Sequence, residues 1–184
     1  DTRFDRVNEI AENWRPIPHI EQFIGNKKTI IAGSTWPEDE EILQKAFVSL
    51  DRKSLKLIIA PHEVTEKHIQ ELEKLFPASI RFSLLPASES QLPPILLIDN
   101  IGLLSRLYKY ADIAYVGGGL RTMGVHNVLE AAVYRKPVVF GPYYKKYIEA
   151  IGLAEAGGAI VINNEKELTY SIEILLNNTE GAYT

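Results

Sequence analysis

The sequence predicts an α/β fold built on a mainly parallel sheet. Short β-branched runs alternate with stretches of helical period along most of the chain. Most of those runs are also apolar from end to end, as strands covered on both faces by helices must be. Length and composition agree: with 184 residues, 46% hydrophobic and 24% charged, the chain suits one compact unit and not a disordered one.

Seven strands are expected, over residues 29–32, 55–60, 80–84, 95–98, 113–116, 137–140 and 159–162. Between them, residues 37–50 open with Pro37, suited to a first helical turn. The acidic run Glu38 to Glu41 follows, favouring the positive helix end, and Ile42, Leu43, Ala46 and Phe47 supply an apolar stripe. Residues 65–76 repeat the pattern with Ile69, Leu72, Leu75 and Phe76. Further helices fit residues 103–110, 127–134, 145–154 and 166–176. Residues 86–94 hold three prolines and read as a loop. Residues 1–25 break the rhythm, with helical stretches at 6–14 and 19–24 ahead of the first strand; a chain that opens in mid-pattern reads as part of a longer one.

Composition excludes several chemistries. Zero cysteines remove disulfides, thiolate catalysis and zinc–thiolate sites, and the absence is compatible with the cytoplasm. No apolar run approaches the ~20 residues of a membrane-spanning helix, and the charged opening Asp1 to Arg6 has no signal-peptide core. The net charge of −4 disfavours a general nucleic-acid binder. It is uneven: residues 117–149 hold Arg121, Arg135, Lys136, Lys145 and Lys146 against only Glu130 and Glu149, a net +3 in an otherwise acidic chain. A small anion finds its best site there.

In open parallel sheets, ligands bind outside the carboxyl ends of strands, so the loops after strands are the places to search. Gly33-Ser34-Thr35-Trp36-Pro37 combines a glycine turn with two hydroxyls at a helix start; Ser34 and Thr35 serve either an anion or simply the helix cap. The stretch from Gly117 to Glu130 carries more. Gly117, Gly118, Gly119 and Gly124 let backbone approach a phosphate, Arg121 adds a cation, and a helix start near His126 and Asn127 offers unpaired N–H groups. Glu130 supplies two acceptor oxygens, the number a ribose diol needs. The spacing fits neither a Walker loop nor GxGxxG. Asp99-Asn100-Ile101-Gly102-Leu103 is an ordinary strand-to-helix turn whose backbone can reach a base edge. No histidine pair has metal-ligand spacing, so no metal site is expected, and His68 reads as a surface helix residue. No GxSxG elbow is present. Trp36, beside the first loop, either roofs a site or packs.

Taken in order, these strings resemble the C-terminal domain of the bacterial 3-deoxy-D-manno-octulosonic acid (Kdo) transferases. Asp1 to Val7 looks like that family's inter-domain segment, Gly33-Ser34-Thr35-Trp36 like its first loop, and Ala60-Pro61-His62 like its Ala-Pro-Arg stretch. Asp99-Asn100-Ile101-Gly102 resembles its Asp-Thr-x-Gly turn, and His126-Asn127-Val128-Leu129-Glu130 its His-Asn-Pro-Leu-Glu signature. Gly141-Pro142 fits the turn after the next strand.

The resemblance implies a Rossmann-like sheet of six to seven strands with helices on both faces, one half of a GT-B glycosyltransferase. Residues 1–25 would be the inter-domain leader and residues 26–184 the nucleotide-sugar-binding domain. The implied donor is CMP-Kdo, with no cofactor. The implied acceptor is a lipid A precursor, reached through an N-terminal domain that also holds the catalytic base, at the cytoplasmic face of the inner membrane. The donor-binding set is then Ser34, Thr35, Pro61, His62, Ile101, Gly102, Leu103, Gly118, Gly119, Arg121, His126, Asn127, Val128, Leu129 and Glu130. Backbone amides of residues 127–130 would hold the phosphate and Glu130 the ribose. This domain alone would bind donor and perform little transfer. The chain departs from the pattern at His62, where a titratable ring replaces a permanent cation, at Val128 in place of proline and at Gly119 in place of serine. A UDP-sugar-binding GT-B domain and a non-catalytic nucleotide-sugar module are the alternatives.

Overall fold

A computed structural model describes residues 2–51, 53–88 and 91–182. Its centre is a seven-stranded, all-parallel sheet in the order β3-β4-β2-β1-β5-β6-β7. The strands are β1 (Lys28–Thr35), β2 (Leu55–Pro61), β3 (Ser79–Arg81), β4 (Ile95–Leu97), β5 (Ile113–Val116), β6 (Val138–Phe140) and β7 (Ala159–Val161). All seven lie where apolar runs predict them. β2 is buried along its whole length, and it adjoins the longest strand, β1.

The helices are α1 (Thr2–Glu12), α2 (Ile20–Ile24), α3 (Pro37–Ser49), α4 (Glu66–Leu75), α5 (Leu104–Leu107), α6 (Leu129–Ala132), α7 (Ile148–Glu155) and α8 (Glu165–Ala182). Alternate side chains of each strand point to opposite faces, which separates two cores. Ile31, Ile58, Leu96, Ala114 and Val138 pack under α5 and α6 together with Ile17, Ile20 and Phe23 of the leading segment. Ile30, Leu57, Ile59, Ile113 and Tyr115 pack under α3, α4 and α8 with Leu43, Phe47, Leu72, Leu168 and Ile172. Ile17, Ile20 and Phe23 are therefore part of this core, and the Trp14 indole N–H donates to the Arg106 carbonyl (3.0 Å).

Several elements differ from expectation. The strand expected over residues 80–84 is only Ser79–Arg81, because Phe82–Leu84 turns into a 3-10 helix. The helix expected over 103–110 is one α turn followed by a 3-10 turn, Tyr108–Tyr110. The helix expected over 127–134 is the single turn Leu129–Ala132; Arg135 at φ 59° and Pro137 end it. Residues 145–147 precede α7, and the helix expected over 6–14 begins and ends earlier, as α1. Described residues of 86–94 are loop. No helix among the described residues is long and apolar enough to cross a membrane.

Candidate functional site

The sheet reverses its strand order between β1 and β5, the switch point where such sheets open a crevice. There the two strands run side by side to their carboxyl ends, and the Gly117 N–H donates to the Gly33 carbonyl (2.8 Å). The chains then pass so closely that a Cβ on Gly117 would lie 2.2 Å from the Ser34 carbonyl oxygen. Gly118 follows at φ 94°, a conformation glycine adopts without strain. A Cβ on Gly119 would meet the backbone of Gly141 at 2.5 Å. The glycines predicted to let a phosphate approach thus first let backbone approach backbone.

The two hydroxyls of the first loop divide. Ser34 is half-buried at φ 52°, while Thr35 is buried and donates to a Glu40 carboxylate oxygen (2.8 Å). Neither caps α3. Trp36 occupies that position, and its N–H donates to Asp39 (2.8 Å).

Within the acidic run at the start of α3, Asp39 and Glu40 are also buried, at 0% and 2% exposed. The Asp39 carboxylate accepts from the Tyr115 hydroxyl (2.5 Å), the Trp36 N–H and the Gly118 N–H (3.1 Å), binding β5, the start of α3 and the glycine loop to one group. Burial raises its pKa against these hydrogen bonds. Both carboxylates precede Leu43, Ala46 and Phe47 at helical spacing, so they fall on the apolar stripe; that periodicity was the signal for their burial.

His68 is likewise no surface residue. Its Nε2 lies 2.9 Å from a Glu40 oxygen and its Nδ1 3.3 Å from Glu71. Burial alone would lower its pKa, but hydrogen bonds and charge from Glu40 and Glu71 outweigh burial and raise it. A histidine raised on folding stabilises fully below its unfolded value of about 6.5, and that contribution fades as pH climbs through the folded value. His68→Gln should therefore destabilise most in acid and progressively less towards alkaline pH. Urea midpoints of both proteins from about pH 5 to about pH 9 check this; a gap independent of pH would refute it.

The loops after β1, β2 and β5 meet in an aromatic column. Trp36 stacks on His62 (4.3 Å between ring centres), and His62 stacks on His126 (4.5 Å). The Trp36 indole N–H donates to His126 Nε2 (2.8 Å), so the imidazole proton belongs on Nδ1. Burial, then the neighbouring His62, lowers the His126 pKa and favours the neutral ring. Arg121 lies over the Trp36 ring (4.0 Å to the ring centre) and pairs with Glu38, one bond at 2.9 Å. Its hydrogen bond lowers the Glu38 pKa. Pro61 is buried at the end of β2, and the His62 N–H donates to the Thr35 carbonyl (2.9 Å).

The signature stretch forms the next wall. Asn127 Oδ1 accepts from the Leu129 N–H (3.0 Å), and Val128 is buried at the head of α6. Among the described residues, no acceptor lies against the amides of Gly119, Asn127 or Val128, whereas the Gly118 amide is taken by Asp39. Leu129 and Glu130 are half-buried. Burial raises the Glu130 pKa, with Arg6 opposing. Its charge is felt by Tyr108, a buried residue that sequence reasoning passed over. The Tyr108 hydroxyl and Leu104 lie over Gly33, and so the turn after β4 comes to the same crevice. Within that turn Ile101 is 84% exposed, Gly102 is exposed at φ 95°, and Leu103 packs against the core.

A further wall comes from the turn after β6, within the basic window. Residues 142–146 and the glycine loop enclose a cleft of about 410 Å³ lined by Thr122, Gly124, Pro142, Tyr143, Lys145 and Lys146. Among the described residues no cluster of three acidic or histidine side chains has metal-binding geometry.

No family model matches the chain. Curated relatives do. A 3-deoxy-D-manno-octulosonic acid transferase of Aquifex aeolicus is 34% identical over 151 residues, 80% of this chain and 42% of that protein. The enzyme of the same name from Chlamydia trachomatis is 32% identical over 85% of this chain and 37% of its own length. A bifunctional glycosyltransferase/methyltransferase of Fusobacterium nucleatum is 33% identical over 84% of this chain and 24% of its own. The chain thus spans about a quarter to two fifths of these relatives. In fold, it is similar to the C-terminal CMP-Kdo binding domain of WaaA from Acinetobacter baumannii, with a TM-score of 0.68 at 22% identity, covering 96% of this chain and 89% of that one. It is also similar to a trehalose 6-phosphate synthase of Burkholderia multivorans, with a TM-score of 0.65 at 17% identity, covering 94% of this chain and 41% of that one. By sequence the chain is a homologue of the Kdo transferases, and its seven-stranded parallel sheet matches the Rossmann-like halves of GT-B glycosyltransferases in fold.

Proposed function

We propose that this chain is the donor-binding domain of an inverting glycosyltransferase that takes Kdo from CMP-Kdo and passes it to a lipid A precursor. The observation that carries the reading is the match to Kdo transferases across four fifths or more of the chain. In this reading a base from a preceding domain deprotonates an acceptor hydroxyl. The resulting oxygen attacks the anomeric carbon, the bond to the phosphate oxygen breaks, and CMP leaves with that electron pair. This domain's part is to hold the leaving group. Unpaired amides at Gly119, Asn127 and Val128 suit the phosphate, since donors fixed before reaction need no reorganisation as charge develops. Glu130 takes the ribose diol, and the turns at Pro61-His62 and residues 101–103 frame the base.

Arg121, held by Glu38 and Trp36, acts as a fixed positive field and not as a mobile clamp. The step runs without a metal ion or cofactor, amides and cations standing in for one. Residues 1–25 lead from the preceding domain, and the whole protein works at the cytoplasmic face of the inner membrane.

Titration with CMP and with UMP tests the reading. CMP should shift amide signals from Gly117 to Glu130 and bind more tightly than UMP. Glu130→Ala should weaken CMP by about 1–3 kcal/mol, the cost of a lost hydrogen bond to a charged partner. Equal affinity for the two nucleotides removes the cytidine assignment, and unmoved signals remove the site.

A further inference from the structure

The cleft beside the glycine loop is not used by any group assigned above. One side is Thr122 and Gly124, at the tip of the glycine loop; the other is Pro142, Tyr143, Lys145 and Lys146, following β6. Its walls are mostly carbon, and its charge is of one sign. The Lys146 ammonium is committed to the Thr122 carbonyl (3.1 Å), a bond that bridges the two sides. Among the described residues neither a carboxylate nor a carbonyl lies against the Lys145 ammonium. An unpaired cation beside an apolar-walled cleft, in a basic stretch of an acidic chain, fits a ligand with an anionic group.

Position narrows the ligand. The same loop that lines the cleft with Thr122 and Gly124 carries Gly119 before them and Asn127 and Val128 after them, the amides left unpaired. A group attached to a phosphate held there reaches the cleft without leaving the loop. The cleft is also ready-made. Val125 N–H donates to the Tyr143 carbonyl (2.8 Å), Tyr143 N–H to the Gly119 carbonyl (2.9 Å), and the Tyr147 hydroxyl to the Met123 carbonyl (2.9 Å). Gly124, at φ 98°, lies against the Tyr147 ring, where a Cβ would come within 2.8 Å.

We infer that this cleft receives the sugar of the donor, with the Lys145 ammonium as counter-ion to the sugar's carboxylate. The inference rests on the proposed function and extends it from nucleotide to sugar. It gives the domain a means of selecting acidic sugars that is separate from recognition of cytidine. Because Lys145 is exposed and its ammonium makes no hydrogen bond or ion pair among the described residues, its replacement should leave the fold intact.

The test compares binding of CMP and of freshly prepared CMP-Kdo to the wild type, Lys145→Ala and Lys145→Glu, by calorimetry at low and high salt. Wild type should bind CMP-Kdo more tightly than CMP. Lys145→Ala should lose roughly fivefold in CMP-Kdo affinity, and Lys145→Glu more, while CMP affinity stays within about twofold in each. The CMP-Kdo loss should shrink at high salt, since an exposed ion pair is screened. Equal loss of both ligands, or no loss of either, overturns the sugar subsite while leaving the nucleotide site standing. Failure of CMP to bind wild type removes the nucleotide reading itself, and the subsite with it.

Discussion

Gly117→Ala will destabilise the protein by about 3 kcal/mol, near the upper end of what overpacking costs. The added methyl would sit 2.2 Å from the Ser34 carbonyl oxygen, 2.8 Å from its carbon and 2.8 Å from the Thr35 Cα. All three are backbone atoms of the neighbouring strand end, so no rotamer change relieves the clash. The strands must part at the switch point, weakening the bond from the Gly117 N–H to the Gly33 carbonyl and moving the loop that follows. CMP affinity should fall at least about tenfold in the folded fraction, because the unpaired amides depend on that loop's position. Urea denaturation and CMP titration of the variant read both effects. Stability within about 0.5 kcal/mol of wild type would show that the strands separate there at little cost.

Asp39→Ala is the second large effect, and its origin is electrostatic where the first is steric. Among the described residues its carboxylate is the sole acceptor for the Tyr115 hydroxyl, the Trp36 N–H and the Gly118 N–H. A buried donor left without an acceptor costs about 1–3 kcal/mol; three within one network are not additive, so roughly 3–5 kcal/mol is expected. Tyr115→Phe removes only one donor and should cost about 1 kcal/mol. Comparing the two by denaturation separates the network from packing, and a Tyr115→Phe loss as large as that of Asp39→Ala would contradict this account. The Gly118 amide signal should also shift in Asp39→Ala and hold its place in Tyr115→Phe.

The strands were legible because a parallel strand buried on both faces writes its burial as an unbroken apolar run. Residues 57–60 and 113–116 do so, and β2 and β5 formed there. Their order was not legible. β4 enters between β2 and β3 through contacts distant in sequence, which no local pattern records. Short helices failed at their ends. The apolar spacing of residues 127–134 is helical, yet Asn127 turns its own carboxamide onto the Leu129 amide and starts the helix two residues late.

The glycine loop was legible as a site because glycines, a cation and a strand end coincide in the sequence. What props it was less so. Trp36, His62 and His126 come from three loops, and only the folded sheet brings their rings into one stack. Asp39 and Glu40 look like surface acids when their charge is read and like core residues when their phase in α3 is read; phase was the better guide.

The seam between the glycine loop and residues 143–147 has a thermodynamic consequence. A free glycine-rich loop would surrender much chain entropy on closing around a ligand, and affinity would fall accordingly. Here the Tyr143, Lys146 and Tyr147 cross-links have already immobilised it. An incoming nucleotide meets a preorganised cradle, so its association should show a modest entropic penalty and should not depend on a second domain folding down to order the backbone.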